Sequence, residues 1–152
     1  MIKFEKYSLI YLEHSSKWLN DPEIKFLTDT GDFTKEQQNK WFESLDTKED
    51  YKIWGVCFEN IPIGAFGVKN INYIDKSGEY WGYIGDKKYH GKGLGSIIMK
   101  GIIEKSITEL GLKKLYLRVL PVNIAALSLY RKFGFQEIAF ENEKIIMEKI
   151  LI

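Results

Sequence analysis

Apolar and polar positions along this chain follow two rhythms, alternating and helical, and the switches between them mark out its elements. Ile2 to Leu12 alternates loosely and predicts a first strand. Glu13 to Asn20 predicts a short helix carrying Trp18 and Leu19, and Asp21-Pro22 restarts a helical turn, with aspartate as N-cap and proline at the first helical position. Thr34 to Gln37 has capping-box spacing and opens a helix through Trp41 and Phe42 to about Leu45. Tyr51 to Glu59 and Ile61 to Asn72 read as strands joined by a tight turn at Asn60-Ile61-Pro62, and Glu79 to Gly85 as a fourth strand. From Leu94 to Leu110 the helical rhythm returns (Ile97, Ile98, Ile102, Ile103, Ile107, Leu110), with Gly111 as its stop. Lys114 to Leu120 is a fifth strand, Ile124 to Lys132 a helix ended by Gly134, and two strands close the chain. The order β-α-α-β-β-β-α-β-α-β-β predicts an α/β fold built on one mixed sheet.

Composition narrows the classes. With 152 residues, no repeat and no linker-like stretch, a single domain across 1–152 is expected. The net charge of +1 argues against broad electrostatic capture of nucleic acid or an anionic membrane. No run approaches the ~20 apolar residues of a membrane span, and charged residues stand where a signal peptide needs an apolar core. The lone cysteine, Cys57, sits in an apolar strand pattern and reads as a buried small hydrophobe; with no second cysteine, a cytoplasmic protein is expected.

The strongest chemical signal is Tyr89-His90-Gly91-Lys92-Gly93-Leu94-Gly95-Ser96, followed at once by a helix. Three alternate glycines leave little bulk, and the N–H groups at a helix mouth lack intrahelical partners, so an anion such as pyrophosphate suits the turn. A Walker A loop is excluded because the lysine precedes Gly93 rather than following the last glycine. A dinucleotide fold would carry Gly-x-Gly-x-x-Gly early in the chain.

Downstream stands Asn123-Ile124-Ala125-Ala126-Leu127-Ser128-Leu129-Tyr130-Arg131-Lys132-Phe133-Gly134-Phe135. With the glycine loop, this resembles the GNAT acetyltransferase superfamily, whose loop reads Arg/Gln-x-x-Gly-x-Gly/Ala and whose later signature runs from an asparagine through Leu-Tyr to Gly-Phe. The resemblance implies a GNAT fold: a seven-stranded, mostly antiparallel sheet splayed between strands 4 and 5 and flanked by four helices. It implies acetyl-CoA as co-substrate, no metal, and direct N-acetyl transfer. Carried onto this chain, it puts pyrophosphate on His90, Gly91, Lys92, Gly93, Leu94, Gly95 and Ser96. Tyr83, Ile84 and Gly85 would pair through their backbones with the pantetheine arm, with an oxyanion-stabilising N–H near Tyr83. Asn123 would anchor the cofactor, and Tyr130 would protonate the departing thiolate. A helical tyrosine is also an ordinary core residue.

Two departures bear on mechanism. His90 replaces the family's Arg or Gln. Where relatives carry a glutamate base on the fourth strand, this chain has Tyr80, and the carboxylate is Glu79, one position earlier. Strand alternation puts Glu79 on the opposite face from Tyr80 unless a bulge intervenes, so it is a candidate base and equally a strand-edge charge. The segment from Trp18 to Ile24 resembles the branch with ribosomal-protein, spermidine and aminosugar acetyltransferases. There Trp18, Phe26, Phe33 and Trp41 would form an aromatic wall for a sugar, while Asp21, Glu23, Asp29 and Asp32 would draw a cationic amine. The expectation is a small-molecule amine, a nucleotide-linked amino sugar ahead of a polyamine or protein N-terminus; a non-catalytic acyl-CoA-binding module is the rival from another class. Relatives in this family dimerise through C-terminal strands, and Ile145 to Ile152 is apolar enough for a homodimer or for the chain's own core.

Overall fold

A computed structural model describes residues 1–151. Strands β1 (Ile2–Lys6), β2 (Lys52–Phe58), β3 (Ile61–Asn72) and β4 (Ser77–Ile84) form an antiparallel meander. β4 lies parallel to β5 (Lys114–Val119), which continues antiparallel through β7 (Lys144–Ile150) to the edge strand β6 (Gln136–Glu141). The sheet order is therefore β1-β2-β3-β4-β5-β7-β6. Two hairpins turn through consecutive left-handed residues: Glu59 and Asn60 (φ 50° and 65°), then Asn142 and Glu143 (φ 50° and 65°). That geometry matches the twist of the flanking strands.

Helices α1 (Leu9–Trp18), α2 (Pro22–Leu27) and α3 (Lys35–Ser44) precede β2, α4 (Leu94–Thr108) joins β4 to β5, and α5 (Ile124–Lys132) follows β5. Five helices form where four were expected. The first strand ends at Lys6 rather than Leu12, because Ser8 is extended and Leu9 onward coils to bury Tyr11, Leu12 and Ser15 on one face. Loose alternation had hidden this turn. Asp21 caps α2 by accepting from the Glu23 and Ile24 N–H groups, and Thr34 and Gln37 make the reciprocal capping box of α3.

The sheet separates two apolar layers. Beneath α4 and α5, Ile98, Met99 and Ile102 are wholly buried against Val68, Tyr80, Leu115, Leu117 and Met147. Each such side chain stabilises the fold by about 1.5–3 kcal/mol. On the opposite face, Tyr7, Tyr11, Leu12 and Ala65 pack with Trp41, Phe42, Ile53 and Tyr83. Ile146, Met147 and Leu151 are buried in the chain's own core, whereas Ile150 is exposed and Ile152 lies outside the described residues. Cys57 is buried in β2, beside β1, and burial pushes its thiol up, which suits packing rather than nucleophilic attack.

What positions the site is a fork in the sheet. β4 and β5 share register only from Ser77 to Glu79, opposite Lys114 to Tyr116. Beyond that point they part, and β4 runs on to Ile84 with its β5-facing edge unpaired by β5.

Candidate active site

Two of the three loop glycines answer a need of the backbone. Gly91 (φ 72°) and Gly93 (φ 77°) sit in the left-handed region, and a Cβ on either would meet open space. They are required by the backbone path. Gly95 is helical, and a Cβ there would meet Leu129 of α5 at an ordinary contact distance of 3.4 Å. Gly93 is the N-cap of α4 and offers no side-chain cap, so the first amides of the helix open onto the cavity lined by Gly91, Gly93, Leu94, Gly95 and Ser96. Lys132 of α5 reaches the same corner, 3.2 Å from the Ser96 hydroxyl. His90 also lines this corner, and its Nε2 lies 2.7 Å from the Ile84 carbonyl. Lys92 is exposed and does not contribute to the wall.

At the fork, backbone direction decides which groups are free. The Gly85 N–H donates to the Ile63 carbonyl at 2.7 Å, and the Tyr83 carbonyl points at Gly64 of β3. The Ile84 carbonyl points the other way, to His90. Alternation in the antiparallel ladder therefore turns the main-chain groups of Gly82 and Ile84, not those of Tyr83 and Gly85, toward the gap. Gly82 has φ 153° and lies so close to Phe66 that a Cβ would fall 2.2 Å from its ring. No other residue fits. Gly85 is also sterically defined, since Trp18 backs directly onto it.

A cavity of about 970 Å³ runs through the fork from the glycine loop to α1, α2 and α3. On its α4/α5 side, Asn123 caps α5 by accepting from the Ala126 N–H at 3.3 Å, which leaves its amide nitrogen uncommitted by the cap. Tyr130 stands edge-on to Tyr80 and against Phe135, both at 5.9 Å between ring centres. Burial pushes the Tyr130 hydroxyl up to about 12, so it stays protonated across the neutral range.

The other side of the cavity is walled by Phe33, Trp41, Tyr51, Trp81 and Tyr83. Of the aromatic residues expected there, Phe33 and Trp41 line the wall, Trp18 packs behind Gly85, and Phe26 is exposed. Glu79 faces this side, opposite to Tyr80, as alternation predicts, but it is no solvated edge charge: only 6 % of it is exposed. Asn70 donates to one carboxylate oxygen at 3.1 Å, and the other lies 3.7 Å from Arg118 Nε and 4.0 Å from Lys69 Nζ. Asp29 is paired with Lys144 of β7. Asp21 and Asp32 are held below the usual carboxylate range by Lys87 and Lys25 beside them, and neither lines the cavity. Gly82, Lys69, Arg118 and Lys144 carry no motif of their own; only the pairing of distant strands brings them together.

Among the described residues, no cluster of His, Cys, Asp or Glu has the makings of a metal site, and no helix is long and apolar enough to cross a membrane. An amide-lined anion cradle opens into a forked sheet with a free strand edge beside it, an arrangement suited to a transferase whose phosphorylated donor carries an extended arm. The acetyltransferase (GNAT) family model matches residues 12–135. A probable spermine N(1)-acetyltransferase of Bacillus subtilis subsp. natto is 36% identical over 108 residues, covering 66% of this chain and 71% of the relative. Spermidine N-acetyltransferase from Vibrio cholerae, solved with CoA and spermine, superposes with a TM-score of 0.89 at 20% identity, covering 99% of this chain and 95% of that one. Campylobacter jejuni N-acetyltransferase PseH, solved with acetyl coenzyme A, superposes with a TM-score of 0.79 at 22% identity, both chains covered at 100%. The chain belongs to the GNAT acetyltransferase family. It is an acetyl-CoA-dependent N-acetyltransferase with the GNAT fold.

Proposed function

We propose that this enzyme acetylates the primary amine of a small amino sugar. Acetyl-CoA supplies the activated acetyl thioester. In this reading the α4 amides from Leu94 to Ser96, with Gly91 and Gly93 shaping their approach, hold the pyrophosphate, and the Asn123 amide anchors the arm. The main-chain groups of Gly82 and the Ile84 N–H pair with the pantetheine and polarise the thioester carbonyl. The amine attacks that carbon, the C–N bond forms as the C–S bond breaks, and Tyr130 gives its proton to the leaving sulfur. The proton lost by the amine passes to cavity water.

Glu79 has both oxygens engaged by Asn70, Arg118 and Lys69. We assign it as the group that positions those cations rather than as the proton acceptor. The amine need only be neutral when it attacks, and water can relay its proton, so a dedicated base is less needed.

The observation that carries the choice of acceptor is the pairing of both carboxylates on the cavity wall, Glu79 with Arg118 and Lys69, and Asp29 with Lys144. A polyamine would find no uncompensated negative charge there. An amino sugar would find aromatic faces at Phe33, Trp41 and Trp81 and polar side chains at Thr28, Thr30, Gln37 and Gln38. The second reading, a polyamine acceptor, is favoured by the 36% and 35% identities to spermine and spermine/spermidine acetyltransferases. Thiol release at saturating acetyl-CoA separates them across amino sugars, spermidine and peptides with a free N-terminal Ala or Ser. Amino-sugar turnover is expected; efficient spermidine turnover with none on sugars would replace this reading with the second.

A further inference from the structure

We infer that Lys69 and Arg118 form an oxyanion subsite in the acceptor half of the cavity, so that the acceptor carries a phosphoryl group, as a sugar phosphate or a nucleotide sugar does. The inference rests on reading the α1–α3 side of the cavity as the acceptor site. Both cations approach the same oxygen of Glu79, Arg118 Nε at 3.7 Å and Lys69 Nζ at 4.0 Å. One carboxylate facing two cations leaves a positive charge uncompensated. Burial divides the cluster in a telling way: the Glu79 side chain is 7% exposed, while Lys69 and Arg118 are 40% and 39% exposed. The negative partner lies behind and the positive heads stand forward on the wall. Arg118 meets Glu79 through Nε, so the two terminal nitrogens of its fork remain for a second, planar oxygen pair.

Lys144, the other lysine on the wall, is already paired with Asp29. Lys69 and Arg118 share a single carboxylate between them, and the complementary ligand group is an oxyanion.

The test is a titration of UDP, and separately of inorganic pyrophosphate, into the full-length protein saturated with CoA, so that the glycine-loop cradle is filled. Saturable binding is expected, weakened on the order of 10–100-fold in Lys69→Gln and in Arg118→Gln. It should be unchanged in Lys113→Gln, which removes an exposed charge elsewhere. Pyrophosphate binding as well as UDP would assign the site to a phosphoryl group alone; UDP binding far more tightly would assign it to a nucleotide. Arg118→Lys, which keeps the charge and loses the fork, controls for misfolding and should bind between the wild type and Arg118→Gln. Absence of saturable binding by either anion, or equal binding by all variants, overturns the inference. Failure of the amino-sugar reading looks different: spermidine would be turned over while UDP still binds at Lys69 and Arg118.

Discussion

The two ends of the cavity are built by different means. The end proposed for the donor is made of main chain: Gly91 and Gly93 in left-handed conformations, the open amides of α4, and the unpaired edge of β4 beyond Glu79. The end proposed for the acceptor is lined by side chains from separate elements, among them α2, α3, β3, β4, β5 and β7. Main-chain sites tolerate change in most side chains but not in backbone geometry, so their glycines and caps persist as short, local patterns. Side-chain sites can be rewritten residue by residue without touching the fold. In the proposed reading, one half fixes what the enzyme takes from, and the other half what it gives to.

That division has measurable edges. Gly93→Val should have the largest effect: a β-branched residue at φ 77° is strained by about 1–3 kcal/mol, and its methyls occupy the cradle. The KM for acetyl-CoA should rise on the order of 100-fold, with the acceptor KM little changed. Equal effects on both substrates in initial-rate measurements would break the division. Tyr130→Phe should lower kcat by about 10–100-fold while leaving the acetyl-CoA KM within about twofold. An unchanged kcat would remove the proton-donor role.

Glu79→Gln sharpens the comparison from the other side. It keeps the shape and the Asn70 contact but frees Arg118 and Lys69 from their counter-charge. A change mainly in acceptor KM, with kcat down less than about tenfold, is expected; a general base would cost about 100-fold or more in kcat and take the acidic limb of its pH profile with it.

The smallest effect at working pH belongs to the tyrosines that serve both halves. Burial pushes Tyr130 on one side and Tyr7 on the other up to about 12, above the unfolded value of 10. A raised folded value means the folded state holds its proton longer. The associated stability is complete below pH 10 and is lost as pH rises through 12, at about 1.4 kcal/mol per pH unit for each group. Denaturant midpoints should stay flat with respect to these groups up to pH 10 and fall steeply above it. A decline beginning near pH 8 would contradict this assignment.

The same contrast explains what the sequence revealed. The strand and helix order from β2 onward, the capping box at Thr34 and the anion-binding character of the glycine loop follow from rules acting over a few neighbouring residues, whereas Asn123 and Tyr130 were singled out only through the family resemblance. The start of α1 did not, because Leu9 to Leu12 reads as a continuation of the alternating strand until Tyr11 is seen packed over Gly55. Parity along β4 correctly placed Glu79 and Tyr80 on opposite faces, yet it could not reveal that Asn70, Arg118 and Lys69 surround the carboxylate. Those partners come from β3 and β5 and meet Glu79 only through strand pairing. The Asp29–Lys144 pair, which neutralises the other wall carboxylate, joins α2's end to the last hairpin. Nothing local to Asp29 announces it.

The central claim is that donor binding is main-chain chemistry at the fork, carried by Gly82 and Ile84. Amide hydrogen exchange followed residue by residue tests it most directly. In the free protein the Gly85 N–H, bonded to Ile63, should already be protected, while Gly82 and Ile84 exchange fast. Adding acetyl-CoA should protect Gly82 and Ile84 and leave Gly85 as it was. If Gly82 and Ile84 still exchange freely in the saturated complex, the fork does not hold the donor and the account is wrong.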